Sequence, residues 1–276
     1  MVTLRERTEQ TGHKFTPHAL SITKILTSML DKCLFELNLQ KFTSSENTML
    51  AAILFDLDGT LANTDPVHYI AWREMLLDYG IEINEEIYKT RFTGRLNPQI
   101  VQDFLPQLSP AEGAKLADDK EALFRQMAPN MKPTPGLAEL LQWTQTHHIK
   151  RGLVTNAPTL NAQHMLAALG LQNTFDAIVI TDEERIPGKP DPAPYQLALQ
   201  KLGISPESAI ALEDSPSGIR SAVAAGIRTI GVASTQEVQK LLDVGAFMAI
   251  ADFTDLQLWT LLNSLGEEDF VTQVSC

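Results

Sequence analysis

Only two cysteines occur in the 276 residues, Cys33 and Cys276, and neither stands in a C-x-x-C or other metal-ligand spacing. Their scarcity argues against a disulfide framework and for a reducing, cytoplasmic setting. Long apolar runs are also missing. No stretch approaches the roughly eighteen residues that span a bilayer, so a soluble protein is expected. Basic residues are outnumbered, 22 against 34 acidic ones, giving a formal net charge of −12. A surface of that sign repels nucleic-acid phosphates and anionic membranes, and neither is an expected partner. A small anionic ligand stays compatible with it, provided the site brings its own positive charge. A metal ion is the obvious source.

What is present is ordinary for a globular protein: 44% hydrophobic and 20% charged residues, in a chain long enough for one large domain or two modest ones. Residues 1–48 differ from the rest, being rich in Ser and Thr, with one amphipathic helix expected over residues 22–39. They show no apolar region followed by a small-residue cleavage site, which speaks against a secretory signal. Glu6, Glu9, Asp31, Glu36 and Glu46 speak against a transit peptide. Met49 directly precedes the first strand, so the upstream segment is expected to be a start-site artefact or a loose extension.

From Met49 a rhythm emerges. An apolar run over residues 50–55 ends in Asp56-Leu57-Asp58-Gly59-Thr60, which reads as a strand and a tight turn. Residues 65–131 read as helical, with no strong strand signal. Further strands are expected at 151–155, 177–181, 208–212, 229–232 and 246–251, with helices at 160–169, 194–202 and 218–225. Such alternation implies a Rossmann-like, doubly wound parallel sheet with an inserted all-helical cap. The core would comprise residues 49–64 and 132–276, and the cap residues 65–131. Ligands of open α/β sheets bind beyond the carboxyl ends of the strands, so site residues should follow strands.

Four polar clusters do so. Asp56 and Asp58 would repel each other unless a cation or proton lies between them, and Mg²⁺ takes oxygen ligands of this kind. Gly59 permits the sharp turn. Thr155-Asn156 offers a hydroxyl and backbone N–H groups to an anion. Lys189 stands in a proline-stiffened loop, Pro187-Gly188-Lys189-Pro190-Asp191-Pro192, that would aim one ammonium at a phosphate. Glu213-Asp214 completes an acidic metal cage ahead of Ser215-Pro216-Ser217-Gly218. Each cluster alone is an ordinary turn, cap or surface lysine. Their conjunction is the signal.

Residues 50–262 resemble a haloacid dehalogenase superfamily phosphohydrolase. The matching segments are Phe55-Asp56-Leu57-Asp58-Gly59-Thr60-Leu61, Val154-Thr155-Asn156, Gly188-Lys189-Pro190 and Leu212-Glu213-Asp214-Ser215-Pro216-Ser217-Gly218-Ile219. Within that superfamily the chain is similar to the β-phosphoglucomutase-like branch, and to plant-type broad-range sugar-phosphate phosphatases through Asn63-Thr64-Asp65-Pro66-Val67-His68-Tyr69 and Thr155-Asn156-Ala157-Pro158. The resemblance implies an Mg²⁺-dependent phosphatase acting on a small phosphorylated metabolite, expected to work as a monomer. Asp56 would be the nucleophile and Asp58 the general acid and base. Asp56, the Asp58 carbonyl and Asp214 would hold the metal, with Glu213 ligating or supporting. Thr155, Asn156 and Lys189 would bind the phosphoryl group. Asp58 selects phosphoryl transfer over dehalogenation, because dehalogenases of the superfamily lack this second aspartate.

The cap should decide the substrate. Arg95, in Thr93-Gly94-Arg95, lies where related caps contact substrate, and His68 resembles a position that aligns the general acid. Trp72 reads as cap core. The rival activity is a β-phosphoglucomutase, which needs a cap site for a second phosphate. Only Arg95 is available for it here, and Thr155-Asn156-Ala157-Pro158 lacks the lysine that mutases carry, so hydrolysis is favoured. A catalytically inactive regulatory member would have lost the nucleophile, the lysine or the metal carboxylate, and all are retained.

Overall fold

The computed structural model of the protein describes residues 49–93 and 95–266. Cys33, Cys276, the extension expected up to residue 48 and its helix at 22–39 lie outside them. The described chain opens with β1 (Ala52–Phe55), whose four side chains are all buried. A strand covered on both faces shows no polar alternation, and this one reads Ala-Ile-Leu-Phe. It is joined by β2 (Lys150–Thr155), β3 (Ala177–Ile180), β4 (Ala209–Glu213), β5 (Arg228–Val232) and β6 (Met248–Ile250). All pair in parallel, in the order β3-β2-β1-β4-β5-β6. The chain runs outward from β1 through β2 to β3, then returns to the other side of β1 as β4. At such a reversal the loops leaving neighbouring strands diverge and open a crevice. Here β1 and β4 frame it.

Every expected strand forms, and only the ends differ. Leu50 and Ala51 precede β1, Thr181 starts a helix, and β6 is shorter than expected. Ser208 closes a 3-10 turn (Pro206–Ser208), so β4 begins and ends one residue later than expected. Glu213 is therefore the last strand residue, fixed by the ladder opposite Gly231, rather than the first of a loop.

Between β1 and β2 come α1 (Asp65–Leu77), α2 (Glu85–Arg91), α3 (Asn97–Phe104), α4 (Pro110–Met127) and α5 (Leu137–Thr146). The first four build the cap around a core of their own, including Trp72, Leu76, Tyr88, Phe92, Ile100 and Leu116. α4 starts where Ser109-Pro110-Ala111-Glu112 closes a capping box, with Pro110 in the first turn where its missing N–H is harmless. The chain passes between sheet and cap twice, and the two passages are fastened together. Thr134 donates its N–H to the Leu61 carbonyl at 2.8 Å and its hydroxyl to the Thr60 carbonyl at 2.7 Å.

The remaining helices are α6 (Thr159–Ala168), α7 (Thr181–Glu184), α8 (Ala193–Leu202), α9 (Pro216–Ala224), α10 (Val238–Asp243) and α11 (Leu256–Gly266). α8 lies over β1, β2 and β3, and α9 over β4 and β5. Small side chains in their shared core, Ala198, Ala211 and Ala222 among them, bring helix and sheet close. The architecture is the Rossmann-like doubly wound sheet with an inserted helical cap. No helix among the described residues is long and apolar enough to cross a membrane.

Candidate active site

Three carboxylates meet where the crevice was expected. Asp56 follows β1, Glu213 ends β4 and Asp214 follows it, and one oxygen of each lies within 4.8 Å of the others. The Asp56 N–H donates to the Leu212 carbonyl at 3.0 Å, which ties the turn to β4. Gly59, at φ 85°, lets the turn pass beneath Asp214. A Cβ there would stand 2.1 Å from Asp214 Oδ2, so no side chain fits.

Lys189 is buried among these groups. Its Nζ donates to Asp56 Oδ1 at 2.6 Å, Glu213 Oε1 at 2.5 Å and the Val154 carbonyl at 2.8 Å. Burial opposes the ammonium charge, but Asp56 and Glu213 outweigh it and hold its pKa above the usual lysine value. Burial pushes the Asp56 carboxyl up to about 7, with Glu213 and Asp58 adding to the rise and Lys189 opposing it. Burial, with Asp56 and Glu213 adding to it, holds Asp214 well above its ordinary value. One lysine does not neutralise this cluster, and its hard oxygen donors fit Mg²⁺.

The sequence-expected residues divide by where their side chains point. Glu213 faces the lysine: its Oε1 also accepts from Tyr195 at 2.8 Å and its Oε2 from Ser215 Oγ at 3.2 Å. A Cβ at position 218 would stand 2.0 Å from that carboxylate, so Gly218 is needed for α9 to close over it. Thr155, buried at the end of β2, accepts from the Ala157 N–H at 2.9 Å. The Asn156 side chain grips the lysine loop, accepting from the Lys189 N–H at 3.0 Å and donating to the Lys189 carbonyl at 3.2 Å. Asp58 is partly exposed and accepts from Thr64 Oγ1 at 2.9 Å.

Two cap residues were singled out from sequence. His68 stacks on Phe124 at 4.0 Å and places Nε2 3.6 Å from Asp58 Oδ1. Arg95 is held by Asp103 at 2.8 Å and by the Arg91 carbonyl at 3.0 Å, so its guanidinium is engaged on the cap. Trp72 is buried in the cap core as expected. All of these residues except Glu213 line one cleft of about 610 Å³ between cap and sheet.

Sequence reasoning missed several members. Lys120 Nζ lies 2.7 Å from His68 Nδ1. A lysine can only donate, so Nδ1 accepts and the imidazole proton sits on Nε2, facing Asp58. Burial pushes the Lys120 ammonium down despite Glu121 beside it. Thr235 donates to Asp214 Oδ2 and Ser234 to the Gly59 carbonyl. Both follow β5, so the rule that site residues follow strands would have found them.

Fold and site together define a capped α/β protein with a buried acidic centre and one lysine at the carboxyl ends of its strands. The haloacid dehalogenase-like hydrolase family model matches residues 53–232. The chain is similar to a phosphorylated carbohydrates phosphatase of Thermotoga maritima, 33% identical over 71% of this chain and 92% of that one. It is also similar to the β-phosphoglucomutase of Bacillus subtilis, 27% identical over 76% of this chain and 92% of that one. Among solved structures, a family IA, variant 3 hydrolase from Entamoeba histolytica superposes with a TM-score of 0.71 at 32% identity, covering 79% of this chain and 99% of that one. The chain belongs to the haloacid dehalogenase-like hydrolases.

Proposed function

We propose that this hydrolase is an Mg²⁺-dependent phosphatase that removes phosphate from a sugar phosphate or similar monoester. One observation carries the reading: Lys189 lies 2.6 Å from Asp56 Oδ1 inside a carboxylate cluster with hard-metal spacing. The names of the phosphatase relatives support the substrate class. The core is assigned to residues 49–64 and 132–276 and the cap to residues 65–131. A monomeric state and a cytoplasmic location belong to the same proposal.

Asp56 attacks phosphorus in line. The Asp56 oxygen–phosphorus bond forms as the bond to the leaving alcohol oxygen breaks. Asp58 delivers its proton to that oxygen, and the alcohol departs. The Asp58 carboxylate then takes a proton from water, whose oxygen bonds to phosphorus as the Asp56–phosphorus bond breaks. Inorganic phosphate leaves and Asp56 is restored. Thr155 and Lys189 hold the transferring oxygens, and Asn156 and Glu213 hold Lys189. His68, with its tautomer set by Lys120, keeps Asp58 turned toward the leaving group. Asp56, the Asp58 carbonyl and Asp214 would hold Mg²⁺, which supplies positive charge to the phosphoryl oxygens.

The similarity to a mutase favours one rival reading. A mutase must anchor a second phosphate on its cap, and Arg95, the expected anchor, is engaged by Asp103. Released phosphate, measured against conversion of β-glucose 1-phosphate to glucose 6-phosphate, separates the two. The decisive variant is Asp56→Asn, expected to abolish phosphate release from a sugar-phosphate panel while keeping a single cooperative melt. Substantial turnover in that variant would refute the assignment.

A further inference from the structure

Glu121 is a buried carboxylate with no part in the phosphoryl chemistry. It stands on α4 and lines the cleft beside Asn97 and Asn161. Its Oε1 accepts from Asn97 Nδ2 at 2.6 Å and Lys120 Nζ at 2.9 Å, and its Oε2 accepts from Asn161 Nδ2 at 2.5 Å. Asn161 belongs to α6, so this last bond joins the cap to the sheet domain. Arg125, one turn along α4, donates to Asn161 Oδ1 at 2.5 Å. A guanidinium can only donate, so it fixes the amide with its nitrogen toward Glu121.

A carboxylate offers about four acceptor positions. Three are filled, and the open one is on Oε2. Burial works against the anion, but Lys120 and the polar donors outweigh it and its pKa falls below the usual glutamate value. The cap cations near it are already engaged, Lys120 on its Oε1 side and Arg95 away from it. Lys120 is shared between Glu121 and His68 and lies 5.4 Å over the Trp72 ring, and Arg95 is bound to Asp103. Lys120 faces Oε1 and His68, so what the cap presents to the leaving group here is the open lone pair of Oε2, a negatively charged acceptor.

We propose that Glu121 is a specificity-determining residue that selects leaving groups bearing neutral hydroxyls and rejects those carrying a second anionic group. Its open lone pair accepts a substrate hydroxyl. Its charge repels a second phosphate or a carboxylate at the same place. Asn97 and Asn161 hold the carboxylate in position, and the bond to Asn161 forms only when cap and sheet are together. Selection is thereby coupled to cap docking. The proposal rests on the phosphatase reading and deepens it.

The test compares kcat/KM for fructose 1,6-bisphosphate and fructose 1-phosphate in the wild type, Glu121→Gln and Glu121→Asp, with para-nitrophenyl phosphate as reference. The reference has no hydroxyl to be read and needs little proton donation, so it reports the phosphoryl chemistry alone. Glu121→Gln removes the charge at nearly constant shape and should raise the bisphosphate-to-monophosphate ratio at least about tenfold, the scale of one close like-charge contact removed. Its para-nitrophenyl phosphate turnover should stay within about threefold of wild type. Glu121→Asp keeps the charge and should keep the wild-type ratio. An unchanged ratio in Glu121→Gln, or an equal shift in Glu121→Asp, overturns the proposal. Should the wild type release phosphate from none of the three compounds, the phosphatase reading fails separately. The same ratio, taken from calorimetric dissociation constants of the two fructose phosphates, then decides the role of Glu121.

Discussion

At the carboxyl end of the sheet, Asp56, Asp58, Lys189 and Asp214 sit on short loops and Thr155 ends β2, and all but Lys189 lie at or within three residues of a strand end. In the cap, His68, Lys120 and Glu121 project from the sides of helices, and their positions depend on how those helices pack. The first set is placed by backbone: a ladder fixes each strand end, and a turn fixes the loop. The second is placed by side-chain burial against partners far away in the chain. On the proposed function, the groups that meet the phosphoryl sit where geometry is least negotiable, and those that face the leaving group sit where repacking can change them. The comparison is sharpest at Lys189 and most open at Arg95.

After Asp56→Asn, Lys189→Ala should have the largest effect. It removes the cation from between Asp56 and Glu213 and leaves two buried carboxylates facing each other. Breaking a buried pair in this way costs about 3–5 kcal/mol. Phosphate release should fall at least about a thousandfold, because one loss removes both a phosphoryl contact and the order of the site. Denaturant unfolding and steady-state turnover measure the two effects. A stable variant with turnover near wild type would show that the core site is not organised around this lysine.

The same contrast explains what could be read from sequence. Asp56-Leu57-Asp58-Gly59-Thr60 announces itself because the turn chemistry is local and the preceding strand is uniformly apolar. Glu213 was legible as a site residue, but its direction was not. Facing Lys189 rather than the cleft follows from Tyr195 and Ser215 occupying its oxygens. Lys120 and Glu121 were illegible for a different reason. In Ala117-Asp118-Asp119-Lys120-Glu121 they read as part of a solvated charged face. Only the packing of α1, α3 and α6 around that turn of α4 brings His68, Asn97 and Asn161 to them. At Asn156 the sequence suggests backbone N–H groups for an anion, and only the fold shows its side-chain amide turned to the Lys189 backbone.

Lys120→Met tests whether the cap is confined to selectivity. Without the donor at Nδ1, the His68 proton is free to move to that nitrogen, and Nε2 no longer holds a hydrogen toward Asp58. Turnover should drop about ten- to a hundredfold, part of the roughly hundredfold or more that a positioned proton donor supplies. KM should change little, and the acidic limb of the pH profile should move. A loss confined to KM would return Lys120 to a purely structural role and leave all the chemistry with the loops.

Metal binding should couple the core site to pH with a definite sign. Asp56 titrates at about 7 in the metal-free fold against an ordinary value of 3.8. Between those values the folded chain binds more protons than the unfolded one, so stability of the metal-free protein falls as pH rises toward 7. Mg²⁺ competes with those protons and should stabilise more at pH 8 than at pH 5.5. At a hundredfold excess over its Kd the gain is about 2.7 kcal/mol, or roughly 5–10 °C in melting temperature. Thermal melts with Mg²⁺ or a chelator at both pH values measure it. An equal gain at both would mean that the metal does not bind through Asp56.

The smallest effect is expected at Arg95, although its sequence position suggested a substrate contact. Asp103 and the Arg91 carbonyl already take its guanidinium, and a partly exposed ion pair of this kind contributes no more than about 1 kcal/mol to stability. For Arg95 to reach a substrate, that pair must break and the side chain must swing toward the cleft. A substrate repays that loss only by offering an anion, and Glu121 stands in the same cleft to repel one. Arg95→Ala should therefore leave KM for a sugar monophosphate within about threefold of wild type. A rise of tenfold or more would show that the arginine leaves Asp103 when substrate arrives. The cap would then read its ligand by rearrangement rather than through the groups already in place.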